Sequence, residues 1–152
     1  YEERHSQLAN AIMPNLYNDD LNKDRADFFV KLLKPSFNTK TEDFFHFFRL
    51  PVEPQDWSVQ TAYSLANLRT GNLSTARKEN KKLIKKASKF DKITELKQLH
   101  LHRALIEAHD GKEKEAKKYL ATALEMNSTA ALDLNSQKLV KETERALAKL
   151  KK

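Results

Sequence analysis

Apolar residues recur along this chain at helical spacing in one segment after another, and the period is interrupted each time by proline, glycine, asparagine or aspartate. Leu8 and Ile12 stand one turn apart in a first stretch, Glu2 to Met13, which Pro14 is expected to end because a residue before proline avoids the α region. Asn18, Asp19 and Asp20 then offer a cap and acidic charge for the next helix N-terminus. Beyond them Leu21, Arg25, Phe28, Phe29, Leu32 and Leu33 share one helix face, and Pro35 closes the segment. A short third helix is predicted from Thr41 to about Leu50, where Phe44, Phe45, Phe47 and Phe48 cover an arc of about 160°. So wide an apolar arc suits a helix wedged between two others; an exposed aromatic docking patch is the rival reading. His46, with no second ligand type one turn away, reads as a surface or capped residue. Pro51 and Pro54 mark the boundary of this aromatic N-terminal part.

From Trp57 the pattern becomes helix, tight turn, helix, and then repeats. Val59, Ala62, Tyr63, Leu65 and Ala66 form a broad face from about Gln55 to Thr70, broken at Gly71-Asn72. Ser74 to about Phe90 follows, with Ala76, Leu83, Ala87 and Phe90 on one side, and the pattern loosens at Phe90-Asp91-Lys92. Leu96, Leu99, Leu101, Ala104, Leu105 and Ala108 make a third helix, broken at Asp110-Gly111. Ala116, Leu120, Ala123 and Leu124 make its partner, which ends near Asn127 and Ser128. A last amphipathic helix is expected from about Ser136 to Lys152, with Leu139, Thr143, Ala146, Leu147 and Leu150 inward and Lys149, Lys151 and Lys152 complementing its dipole. The only two glycines, Gly71 and Gly111, occupy equivalent turns, one per hairpin, where a residue tolerant of positive φ is needed.

Aligned on those glycines, the hairpins match. Ala76 and Ala116 stand five residues after each glycine, Ser64 and Ala104 seven before, and Ala123 twelve after Gly111. Small side chains there let neighbouring helices approach closely. This spacing resembles the tetratricopeptide repeat, a pair of antiparallel helices with small residues at matched contact points, over about residues 55–128. The match is better for Ala104, Gly111, Ala116, Leu120 and Ala123 than for the first unit, where Asn80 replaces an aromatic and Leu83 an alanine. The glycine-to-glycine distance of 40 residues (111 − 71) exceeds the roughly 34 of the usual unit. The extra residues are assigned to a longer second helix and a loop around Phe90–Thr94.

The resemblance implies an all-α fold of tetratricopeptide-like α-α hairpins in a right-handed helical repeat. Residues 1–53 would form an N-terminal helical subdomain, 54–128 the two hairpins, and 129–152 a capping helix. It also implies a groove that receives a peptide or helix. Carried onto this chain, the groove positions are Ser58, Thr61, Leu65, Leu68 and Arg69, then Gln98, Leu101, Leu105, Ala108 and His109. The lysine and asparagine arrangement by which some members clamp a C-terminal carboxylate is absent.

Composition narrows the picture further. Two glycines and four prolines in 152 residues argue against sheet folds, which need turn residues at every hairpin, and against a glycine-looped nucleotide site. No cysteine is present, which excludes disulfides, thiolate metal sites and cysteine nucleophiles. Apolar runs fall short of a membrane span. His100 and His102 point to opposite sides of a helix, and His102 and His109 lie about 10 Å apart along it, too far for one metal. Neither a metal site, a cofactor nor a catalytic constellation is expected.

Charge is uneven: residues 1–56 carry net −3, and the remainder carries net +10. Arg77, Lys78, Lys81, Lys82, Lys85, Lys86 and Lys89, with Lys92, span about 180° of one helix. Such a face either stays solvated or meets an anionic surface. The expected function is a non-enzymatic protein–protein interaction module binding a partner segment in the groove. Nucleic-acid or anionic-surface binding through helix 77–92 is the alternative. The expected setting is a soluble domain of a larger protein, cytoplasmic or exported after processing.

Overall fold

The computed structural model describes residues 2–33, 57–126 and 133–150, with backbone alone for 2–6 and for 57 and 58. The expected helix Thr41–Leu50 with its phenylalanines and His46, the boundary at Pro51 and Pro54, and the loop at Asn127 and Ser128 lie outside the described residues. Among the described residues every regular element is an α-helix: α1 (Glu2–Leu16), α2 (Lys23–Leu33), α3 (Trp57–Arg69), α4 (Leu73–Lys89), α5 (Ile93–His109), α6 (Glu113–Glu125) and α7 (Leu134–Leu150).

Three connections join α3 to α6, and all three are built alike. Gly71, Asp91 and Gly111 take φ of 86°, 54° and 78°. Each turn closes with an N–H that reaches five residues back: Asn72 to the Asn67 carbonyl, Lys92 to Ala87, and Lys112 to Glu107, each at 2.9 Å. This is the hydrogen bond that satisfies an orphan carbonyl at a helix end when the next residue turns left-handed. The spacing is twenty residues from Gly71 to Asp91 (91 − 71) and twenty from Asp91 to Gly111 (111 − 91). Aspartate enters the left-handed region more readily than most residues, so the middle turn needs no glycine. The expected loop at Phe90–Thr94 is thus shortened to a three-residue turn at 90–92, and the expected longer second helix is present. The added length is helix: α4 and α5 each hold 17 residues, against 13 in α3 and in α6.

Contact positions behave as small residues should. Ser64, Ala76, Ala104, Ala116 and Ala123 are all fully buried, and the Ser64 hydroxyl donates across the first hairpin to the Ala76 carbonyl at 3.1 Å. Leu83, where an alanine was the pattern, packs with Ala87 and Leu99. Asn80 is buried too; its side-chain amide donates to the Leu99 carbonyl at 2.9 Å and ties α4 to α5. α3 pairs with α4 and α5 with α6, α4 also lies on α5, and α7 covers α5.

The N-terminal helices depart from expectation in three ways. α1 runs through Pro14 to Leu16, because its last turn is held from outside: Leu16 and Tyr17 are buried, and Arg69 Nε donates to the Leu16 carbonyl at 2.7 Å. α2 is capped by Asn22, whose Oδ1 accepts the Asp24 N–H at 2.7 Å, rather than by the preceding Asn-Asp-Asp run. Its inward face is Ala26, Phe29, Val30 and Leu33. Phe28 and Leu32 from the expected stripe are exposed.

Candidate functional site

The groove expected from the resemblance is not open. α1 and α2 both lie on α3, and Ala9, Ile12, Leu16, Tyr17 and Leu33 share one core with Leu65, Leu68, Leu101 and Leu105. Of the expected groove residues, Thr61, Leu65, Leu68, Leu101 and Leu105 are thus buried inside the protein, and Gln98 is half-buried. The physical reason is that an amphipathic helix of the same chain is always present at high effective concentration and covers the apolar face first. Ala108 is buried in a separate cluster with Ala116 and Leu147. The Ser58 side chain lies outside the described residues.

Two of the expected groove residues, Arg69 and His109, meet at a polar node that sequence spacing did not reveal. Arg69 Nη1 and Nη2 donate to the two oxygens of Glu142 at 2.6 and 2.7 Å, and His109 Nε2 lies 2.8 Å from Glu142 Oε2. Burial alone would push the Glu142 carboxyl up. The hydrogen bonds and charges of His109 and Arg69 outweigh it and hold the group down at about 2. The carboxylate is therefore an acceptor only, so His109 donates from Nε2. One node thereby joins the end of α1, α3, α5 and α7.

Beside it, Tyr17 Oη and His102 Nε2 are hydrogen-bonded at 3.0 Å. Burial first, and the Arg69 charge second, lower His102 to about 4, so its ring is neutral near pH 7. Burial also raises the Tyr17 phenol, helped by Asp133. Among the described residues His102 Nδ1 has no hydrogen-bond partner. Tyr17, His102 and Glu142 were not singled out from the sequence as site residues. The available signal was a polar residue placed within an apolar helix face, as Glu142 is between Leu139 and Leu147.

Above the Arg69–Glu142–His109 node opens a cleft of about 730 Å³. It lies at the bend end, between the α1–α2 turn, the ends of α3 and α5, the start of α4 and the last turns of α7. Leu21, Leu68, Leu73, Ala108, Ala146 and Leu150 provide apolar wall, and Lys23, Arg145 and Lys149 stand with Asp19 around it. Asp19 accepts from Arg145 Nη2 at 2.5 Å, both side chains being about half exposed.

The basic face of α4 is present with one correction. Lys78, Lys81, Lys82, Lys85 and Lys89 are exposed and Lys86 is half-buried. Arg77 does not belong with them: its Nε donates to Glu107 at 2.6 Å and its Nη2 to Asp110 at 2.5 Å. Glu107 is buried and also accepts from Arg103 Nε at 3.1 Å. Arg77, at the edge of the lysine arc, is thus a tie from α4 to α5 and the turn that follows it.

No protein-family model matches the chain, and neither a curated protein nor a solved structure matches it. Function must therefore be read from the node, the cleft and the lysine face. Among the described residues no three His, Asp or Glu side chains are grouped to hold a metal ion, and no helix is long and apolar enough to cross a membrane.

Proposed function

We propose that this chain is a non-enzymatic protein-interaction module of tetratricopeptide-like build, and that it holds a segment of a partner protein in the cleft at its bend end. The repeat reading is supported by the matched turns at Gly71 and Gly111 and by the buried small pairs Ser64–Ala76 and Ala104–Ala116. The observation that carries the binding role is the cleft, a concavity in which an aliphatic wall is set among charged and polar side chains, with room for several side chains of a partner. A displayed peptide library selected on the wild-type protein tests this. Clones should bind wild type and be lost on Ala146→Tyr, which fills the cleft, provided the variant keeps its helical signal. Binders indifferent to Ala146→Tyr would refute it.

A second reading has its own observation, the row of exposed lysines on α4. Nucleic acid or another polyanion would meet that row without entering the cleft. Binding of generic DNA or RNA that falls steeply between about 50 and 200 mM salt, and disappears in Lys81→Glu/Lys85→Glu, would favour it.

A further inference from the structure

We infer that the cleft selects for acidity: its occupant is a short acidic segment of a partner protein that carries an aliphatic side chain. This rests on the interaction-module reading above and specifies its ligand. The floor is electrically closed. All three donor nitrogens of Arg69 are engaged, Nε with the Leu16 carbonyl and Nη1 and Nη2 with Glu142. Glu142 Oε2 takes His109 as well. A ligand therefore gains nothing from the floor charges, which cancel.

The rim is different. Lys23 at the start of α2 and Lys149 near the end of α7 both border the cleft, and among the described residues no ion pair holds either one. Arg145 shares Asp19 in an exposed pair, which solvent screens strongly. Taking Lys23, Arg69, Arg145 and Lys149 against Asp19 and Glu142, the lining carries two cationic charges in excess when His109 is neutral. Carboxylates on an incoming strand would restore the balance from both sides of the opening.

The walls decide the kind of acid. Leu68, Leu73 and Leu150 are aliphatic, and among the described residues no Phe, Tyr or Trp borders the cleft, whose one ring, His109, is tied to Glu142, so a nucleobase finds no broad face to stack on. An aliphatic side chain between flanking Asp or Glu residues matches both features. The chain's net charge of +7 would draw such a segment in from a distance.

The test uses random twelve-residue peptides displayed on phage and selected on the whole protein. Clones that depend on an open cleft, lost on Ala146→Tyr, should be enriched in Asp and Glu beside Leu, Ile or Val. A synthetic peptide from such a clone should weaken by about tenfold when its acids become Gln and Asn. Lys23→Glu/Lys149→Glu should weaken it at least as far, while Lys81→Glu/Lys85→Glu, away from the cleft, leaves the Kd within about twofold. Cleft-dependent clones that are neutral or basic, or indifferent to Lys23→Glu/Lys149→Glu, would overturn the acidic preference and leave the module standing. Competition by a twelve-nucleotide single-stranded DNA at equal strength would overturn it in favour of a polyanion. If no clone depends on the cleft, the module reading falls and this one with it.

Discussion

Glu142→Gln is the sharpest perturbation this structure offers. The substitution keeps the shape of the side chain but removes the charge that faces Arg69, whose side chain is only 7% exposed. Holding the carboxyl at about 2 rather than its ordinary 4.5 corresponds to about 3 kcal/mol of stability at neutral pH. Removing one partner of a buried pair costs about 3–5 kcal/mol in general, because the surviving guanidinium loses its counter-charge. The sign with pH follows from the depressed value. The contribution is whole above the unfolded carboxyl's 4.5, declines as pH falls, and is gone below about 2. Urea denaturation followed by circular dichroism at neutral pH and near pH 2 measures both ends. The variant should lose about 3 kcal/mol at neutral pH, and the gap to wild type should shrink below about 1 kcal/mol in acid. A cost of equal size at both pH values, or a cost under about 1 kcal/mol at neutral pH, would refute the reasoning. Arg69→Met/Glu142→Leu should recover much of the loss, since it leaves no charge unmatched.

Further outcomes follow from other parts of the molecule. Tyr17→Phe strips His102 of its hydrogen bond to the Tyr17 hydroxyl and should cost about 1–3 kcal/mol by denaturation. Because His102 sits at about 4 when folded and 6.5 when unfolded, its share of stability is lost as pH falls between those values; a ring-proton NMR midpoint well above 5 would contradict the burial assigned to it. Gly111→Ala should cost about 1–2 kcal/mol through its positive φ alone, as among the described residues no heavy atom beyond its own chain neighbours lies within 4 Å of the added methyl. Asp91→Gly, at the matching turn, should be neutral or stabilising by up to about 1 kcal/mol. Leu105→Ala should destabilise by about 2–5 kcal/mol, whereas an open-groove residue would lose well under 1 kcal/mol.

Much of the helical core was legible before any coordinates. The apolar period of α3 to α7 and the breaks at Gly71 and Gly111 are local properties, governed by side-chain spacing and by which residues tolerate positive φ. Helix boundaries there fell within a few residues of expectation. The break at Asp91 was legible, but not its likeness to the two glycine turns, because a left-handed aspartate carries no signature as strong as glycine's. Pro14 misled for the opposite reason: its local preference was overridden by the burial of Leu16 and Tyr17 and by the bond from Arg69 to the Leu16 carbonyl.

The candidate site was much less legible. A helical face reads as apolar whether it meets a partner or its own chain, so Leu65, Leu101 and Leu105 could be named but not assigned an occupant. That choice belongs to α1 and α2, which end 49 and 32 residues before Leu65 in sequence (65 − 16 and 65 − 33) and pack directly on α3. Arg77 likewise sat in a cationic run, and only the approach of Glu107 and Asp110 from α5 turned it inward. The sequence by itself determined an all-helical chain with matched bends and a lysine-studded helix, because backbone preference and periodicity act within a few residues. The tertiary structure alone decided that the inner face is filled, that Arg69, Glu142 and His109 converge, and that a cleft remains at the bend end, because ion pairs and burial depend on residues 33 to 73 positions apart meeting in space.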